Sequence, residues 1–443
     1  MRRMKLVSGG AIVSMLALAC GGGGGSTDVG DEPDAPPAPD SASIDALAGD
    51  ITVSLRRGHV PVPGAPVIGH DGDGAPIATA TTDAAGDAVL PAAGVAMVTV
   101  IDTDNVSLFT ATAVAPGDHI VIPTFTDYPD LGTLDVTVPA LPPDAVSMRL
   151  AVGSCETGGA DVAAPIALPL TAYCVGNTGT ASVLALAMGE LSDVVAVTTL
   201  TGVTPPAFGD TLAVALPAWS DGFDEFQLSV DGGDLGDLVN SVYGQDVDGV
   251  YFYLPSKSGN MPYTWWNPVP ALGGFVSYST QIPFGAPGPF GGTPAKRFFA
   301  TRLPVGTLAD AVELPADAMT GLLGTSVDTS ELTRPVLGWQ PDEPIDADGA
   351  IVKTRWFGAG YREWTFIMPS SQTSVRAPAL PPDLAATWAP DAPVAQPYAV
   401  VVDTSYHDDY AGFRAEGFAL AGGPTYLDDG AAELKGSVYF PAF

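Results

Sequence analysis

Glycine and proline interrupt this chain so often that no stretch of its main body can sustain a long helix. There are 52 Gly and 42 Pro in 443 residues, spread along the whole length, and each one weakens or breaks a helical run. Between the breakers lie short segments rich in Val, Ile, Thr, Tyr and Phe: ITVSL (51–55), VAMVTVID (95–102), TLDVTV (133–138), SVLALAM (182–188), GVYFYL (249–254), GFVSYSTQI (274–282), REWTFIM (362–368) and YAVVVDTSY (398–406). Runs of this kind, bounded by Gly, Pro, Asn or Asp, are strand signals. The better helical candidates are single turns, DLGDLVNSV (234–242) and ADAMTGLLG (316–324). Many short strands at close spacing predict an all-β chain of tandem antiparallel β-sandwich domains.

The first nineteen residues have a different texture. Arg2, Arg3 and Lys5 precede an uncharged apolar stretch, Leu6 to Ala19, which is too short to span a bilayer and reads as a targeting segment. It ends in Leu16-Ala17-Leu18-Ala19-Cys20, which resembles the bacterial lipobox, with Ala17 where that family usually carries leucine. The resemblance implies a lipid thioether on Cys20 after cleavage, and Gly21 at the next position implies outer-membrane delivery rather than retention at the inner membrane. An ordinary signal peptide cleaved near Ala19 is the alternative. Residues 21–45, the bulk of the segment 20–48, hold almost no apolar side chains. They cannot bury enough surface to offset their ordering entropy, and read as a flexible Gly/Pro/Asp tether. Expected localisation is therefore the outer membrane, with the membrane itself a partner through the anchor.

Three cysteines fit this reading. With Cys20 acylated, Cys155 and Cys174 remain as a pair in an oxidising compartment and are expected to form a disulfide, two buried thiols being the alternative. Charge narrows the partners. The chain has 17 Lys+Arg against 50 Asp+Glu. Loss of the first nineteen residues removes three basic groups and no acidic one, leaving a net charge of −36. Such a field repels phosphate backbones, so nucleic acid is excluded as a partner.

One segment carries a family likeness. Residues 49 to about 102 contain PVPGAPVIGHDGDGAPIATATTDAAGDAVLP followed by VAMVTVID. This resembles the carboxypeptidase regulatory-like (transthyretin-like) β-sandwich, in which a threonine-rich strand leads into T-D-x-x-G and a rising strand. Within Thr82-Asp83-Ala84-Ala85-Gly86, Asp83 can accept backbone hydrogen bonds at a turn and Gly86 can take a positive φ. In that family the domain is a non-catalytic companion, so the resemblance carries over no active-site residue. Farther along, PALPPD occurs at 139–144 and again at 378–383, suggesting module edges. The expected division is a signal peptide (1–19), the tether (20–48), the regulatory-like sandwich (49–140), a disulfide-containing sandwich (141–220), a β-rich domain (221–330) and a β-rich C-terminal domain (331–443).

Catalytic chemistry finds few candidates. The four histidines are His59, His70, His119 and His407, and none has the H-E-x-x-H or H-x-x-E spacing of zinc ligands. The mature chain contains no G-x-S-x-G elbow and no S-x-x-K pair. Asp71-Gly72-Asp73-Gly74, Asp246-Val247-Asp248-Gly249 and Asp346-Ala347-Asp348-Gly349 each resemble the start of a calcium loop. Their twelfth positions are Thr82, Lys257 and Phe357, none a carboxylate, so they read as turns. His407-Asp408-Asp409 reads as an exposed loop. No catalytic residue, metal or cofactor is assigned.

The tryptophans remain. Trp356 and Trp364 flank a GAGY turn and are expected to face each other in a hairpin. MPYTWWNP (261–268) is bracketed by Pro262 and Pro268, which suits a stiffened loop; Tyr263, Trp265 and Trp266 there are the candidate ligand contacts, with burial under the following loop as the alternative. The sequence thus predicts a non-catalytic outer-membrane lipoprotein presenting β-modules for binding or structural roles. A carbohydrate-binding surface protein is the first alternative. A cryptic hydrolase, whose best-fitting form would be a glycosidase carboxylate pair, is the second.

Overall fold

The computed structural model describes residues 49–57, 60–124, 129–153, 155–158, 165–175, 179–190, 194–221, 225–231, 240–247, 250–258, 263–266, 275–284, 295–304, 307, 309–313, 319–405, 409–415 and 432–439. The chain is all-β. The first strands are β1 (Ile51–Arg57), β2 (Val60–Pro61), β3 (Pro66–His70), β4 (Pro76–Thr81), β5 (Asp87–Leu90), β6 (Met97–Asp102), β7 (Ser107–Ala111) and β8 (His119–Thr124). One sheet runs β2-β1-β5, with β8 parallel to β1. Opposite it, β4, β3, β6 and β7 pair in that order. The two layers share a core of Ile51, Val53 and Leu55 against Val67, Val98, Val100 and Phe109. The Asp83 turn links them. Asp83 Oδ1 accepts from the amides of Ala85 (2.8 Å) and Asp87 (3.0 Å). Gly86 takes φ 76°, where a β-carbon would meet the Leu55 carbonyl at 2.8 Å, so only glycine fits.

A second unit follows: β9 (Asp130–Thr137), β10 (Ser147–Val152), β11 (Cys155–Gly158), β12 (Ile166–Thr171), β13 (Ala181–Met188), β14 (Val194–Val203) and β15 (Thr211–Ala215). Among the described residues, its sheets, β11-β10-β13-β14 and β12-β9-β15, pair only among themselves. They enclose their own core of Leu134, Val136, Met148, Leu150, Leu168 and Val183. The boundary expected at 140 therefore lies too late: β9 already belongs to this unit, and the change of partners falls between 124 and 130. PALPPD at 139–144 is an internal crossing, where the Trp219 indole donates to the Ala140 carbonyl at 2.9 Å.

The rest of the chain supplies β16 (Glu225–Asp231), β17 (Asn240–Val247), β18 (Val250–Ser258), β19 (Tyr263–Trp266), β20 (Phe275–Phe284), β21 (Ala295–Pro304), β22 (Ala309–Glu313), β23 (Leu322–Asp328), β24 (Val336–Pro341), β25 (Gly349–Phe357), β26 (Tyr361–Met368), β27 (Ser374–Arg376), β28 (Tyr398–Thr404) and β29 (Ala432–Tyr439), with the short helices α1 (Pro382–Trp388) and α2 (Tyr410–Ala415). Twelve strands form one sheet, in the order β18-β17-β20-β21-β29-β28-β25-β26-β7-β6-β3-β4.

The all-β expectation holds, and this sheet departs from tandem antiparallel modules in two ways. β7 pairs in parallel with β26, so the first and last segments of the chain share one sheet while the second unit is looped out between them. The border expected at 330 is likewise bridged, by β21 against β29. Parallel pairs also join β1 to β8, β9 to β15 and β16 to β22.

The physical reason is legible in burial. In β3, β6 and β7, side chains of one parity enter the core shared with β1. Those of the other parity, Ile68, Ile101 and Leu108, join Trp364, Phe366, Leu337 and Trp388 in the C-terminal core. Strands apolar on both faces need cover on both.

Candidate contact surface

Hairpin β25–β26 carries the most exposed aromatic pair among the described residues. Its register sets Phe357 opposite Tyr361, Trp356 opposite Arg362 and Arg355 opposite Glu363. Because successive residues alternate faces, the inward positions are Trp356 and Trp364, both buried, with ring centroids 6.5 Å apart. The opposite face carries Phe357, 68% exposed, and Tyr361, 38% exposed, with centroids 5.2 Å apart at 55°.

Several contacts fix this tip. Asp391 Oδ2 accepts from the Ala359 amide at 2.9 Å. Thr354 Oγ1 donates to the Ala395 carbonyl at 2.6 Å, and the Ala395 amide donates to Arg355 at 2.7 Å. The Arg362 guanidinium lies 4.9 Å over the Trp388 ring of α1, a cation–π contact that holds the inner side of the turn.

Polar groups flank the exposed rings. The Tyr361 hydroxyl donates to Glu363, and Lys353 pairs with Glu363 at 2.5 Å. Burial raises the Tyr361 phenol, the Glu363 carboxylate raises it further, and Arg355 opposes both. Toward the base of the hairpin the same face is covered: Ile351 and Ile367 pack with Phe413 of α2. The sheet face is thus closed at one end and open at the other.

Elsewhere, reactive side chains are engaged in structural bonds. His70, fully buried, places Nε2 2.9 Å from Thr99 Oγ1, which lies 2.9 Å from Thr110 Oγ1; the Trp364 indole donates to Thr110 at 2.8 Å. Burial pushes the His70 imidazole down to about 4, with Asp71 opposing and Arg334 adding to the shift.

Ser54 donates to Asp87 Oδ1 at 2.6 Å and lies 3.0 Å from His119 Nε2. Arg56 holds the same carboxylate oxygen at 2.6 Å. Here the carboxylate accepts the serine's hydrogen bond directly instead of orienting the imidazole, which is not the order a hydrolytic triad needs.

Asp71 Oδ1 closes its turn through the amides of Asp73 and Ala75, and Arg334 donates to the Asp73 carbonyl at 2.7 Å. Asp348 Oδ2 accepts from the Thr404 amide and hydroxyl, both at 2.7 Å.

Cys155 and Cys174 are joined by a disulfide with α-carbons 5.1 Å apart. Tyr263, Trp265 and Trp266 lie on β19, an edge strand paired antiparallel with β16, Trp266 opposite Glu225 and Trp265 opposite Phe226. A strand thus stands where a stiffened loop was expected. The flanking prolines fall outside its four paired positions and remove none of their amides. The side chains of β19, like Cys20, His59, Asp248, His407 and Asp408, lie outside the described residues.

Phe357 and Tyr361 were missed by the sequence reading, although a signal was available. Once Trp356 and Trp364 are assigned inward, strand alternation sends Phe357 and Tyr361 to the other face.

No family model matches the chain, and no curated protein matches it. Among solved structures, the chain is similar to the TIE protein of Bacillus anthracis at 10% identity and TM-score 0.16, over 60% of this chain and 49% of that one. A leucine-rich repeat protein from Bacteroides thetaiotaomicron gives 14% identity and TM-score 0.14, over 35% and 22% of the two chains. The FN1–FN3 domains of chicken CNTN1 give 7% identity and TM-score 0.12, over 69% and 87%. The chain spans about half of the first of these proteins and less than a quarter of the second.

Proposed function

We propose that this chain is an exported bacterial surface protein, anchored to the outer membrane through a lipid on Cys20, that displays β-modules to bind an external partner without catalysing a reaction. The observation that carries the binding role is the open aromatic pair Phe357–Tyr361 on a braced hairpin. Exposed rings beside hydrogen-bonding groups suit contact with a ligand. The engagement of Ser54, His70, Asp71 and Asp348 in structural bonds supports a non-catalytic reading. The anchor rests on the basic, apolar and small-residue progression ending at Cys20 and on the polar tether after it.

The test is palmitate labelling and N-terminal mass spectrometry of the protein from its native membranes. A lipid-modified Cys20 is expected, with release of the Cys20→Ala variant into the soluble fraction. An unmodified N-terminus beyond residue 20 overturns the anchor. A carbohydrate ligand is the second reading, and the same aromatic pair favours it.

A further inference from the structure

Hairpin β25–β26 ends in a patch whose chemistry selects among ligands. Phe357 and Tyr361 present ring surface to solvent, and the next cross-strand pair on that face, Arg355 and Glu363, adds a donor and an acceptor. Lys353, one step farther down, is already paired with Glu363, and Arg355 stands against the Tyr361 hydroxyl. This face of the tip thus holds two cations, Lys353 and Arg355, against the one carboxylate of Glu363.

The surrounding protein is not balanced, with 50 acidic residues against 17 basic ones. Its field repels an anionic polymer approaching the tip. A cationic partner gains more from the acidic remainder of the surface than from a face bearing Lys353 and Arg355. An uncharged ligand meets neither obstacle.

Such a ligand must offer flat C–H surface to the rings and hydroxyls to Arg355, Glu363 and the Tyr361 oxygen. Pyranose sugars have both. We infer that the Phe357–Tyr361 tip is a binding site for an uncharged polysaccharide, whose sugar faces stack on Phe357 while its hydroxyls exchange hydrogen bonds with Arg355 and Glu363. This rests on reading the chain as a displayed binding protein.

The rigidity of the tip favours the inference. Asp391 occupies the space beside Gly358, where a β-carbon would lie 1.6 Å from Asp391 Oδ1. The Ala395 strap and the Arg362–Trp388 contact hold the two strands in place, so little ordering is left to pay on binding. Phe208, 75% exposed in the loop before β15, is an internal control. It is as accessible as Phe357 but has no Arg/Glu pair beside it in a strand ladder.

The experiment is affinity electrophoresis of the full chain through gels containing cereal β-glucan, xyloglucan or galactomannan, with polygalacturonate as the anionic comparison. Retardation by at least one uncharged polymer is expected. Phe357→Ala should weaken it tenfold or more with Tm unchanged, Phe357→Trp should retain it, and Phe208→Ala should leave it at the wild-type level.

The inference is overturned if no uncharged polymer retards the wild-type chain, if polygalacturonate does so equally well, or if the Phe208 and Phe357 variants weaken alike. Sedimentation adds a further arm: a wild-type dimer that Phe357→Ala converts to a monomer would make the patch a contact between copies and sink the sugar assignment. Loss of sugar binding with lipid on Cys20 fails this inference alone. Sugar binding without lipid on Cys20 fails only the anchor.

Discussion

Trp364 on β26 donates its indole N–H to Thr110 on β7 at 2.8 Å, joining residues 254 positions apart in the chain. The bond belongs to a buried line that continues through Thr99 to His70 and lies across the join between the first and last segments. Thr110→Val keeps the shape but leaves the indole N–H and the Thr99 hydroxyl short of a partner. The expected loss is about 2–3 kcal/mol, since buried donors without acceptors carry their full desolvation penalty. Urea unfolding of the single variants Thr110→Val and Trp364→Phe and of the double variant checks this. The double should fall short of additive by about 1 kcal/mol, and strict additivity would sink the idea.

Much of the strand content was readable, because runs such as ITVSL and YAVVVDTSY combine β-branched residues with Gly/Pro limits. The β7–β26 pairing was not. Two strands pair in parallel through backbone groups that every residue carries, so a separation as long as that from Ser107 to Glu363 leaves no local mark. A partial hint lay in MVTVID and SLFTA, which are buried at both parities; strands covered on two faces require a second layer from elsewhere. The contact surface was missed for a different reason. The sequence draws attention to Trp265 and Trp266, whereas exposure on β26 depends on which parity the C-terminal core takes.

Acid should loosen the same join. The His70 imidazole is held at about 4 against an ordinary 6.5, chiefly by burial. Between those two values the unfolded chain binds more protons than the folded one. Stability from this residue is therefore complete above pH 6.5 and falls as pH drops toward 4. The full interval corresponds to about 3 kcal/mol. Chemical unfolding at pH 7, 6, 5 and 4 should show a steeper fall for wild type than for His70→Gln. His119 is shifted in the same direction, mainly by burial, and contributes equally to both. Parallel curves would remove His70 from the explanation.

The disulfide should act locally. Cys155 and Cys174 are 19 residues apart, and closing a loop of that size stabilises by about 3 kcal/mol on the chain-entropy model. Reduction, or Cys155→Ala with Cys174→Ala, should lower the unfolding midpoint of the second unit only. Hydrogen exchange should rise in β10, β12 and β13 and stay unchanged in β25 and β26. Uniform acceleration across both regions would contradict the separation of the cores.

That separation makes a sharper prediction about fragments. Among the described residues, the sheets built from β9–β15 pair only with one another and enclose a core of their own, so a fragment of residues 129–221 should fold cooperatively in isolation. A fragment of residues 49–124 retains its β1–β8 sheets and the core between them, yet loses the cover over Ile68, Ile101 and Leu108. It also loses the Arg414 guanidinium, which donates to the Ala113 carbonyl at 2.6 Å and pairs with Asp118 at 2.5 Å. The exposed apolar face should bind the dye ANS and drive self-association. Adding residues 319–443 as a separate chain should reverse both effects, because β24, β26 and α1 restore the missing cover and α2 returns Arg414. Thermal unfolding, dye binding and sedimentation of the fragments decide the matter. A monomeric, dye-free 49–124 fragment would show that the shared sheet is dispensable for the first segment.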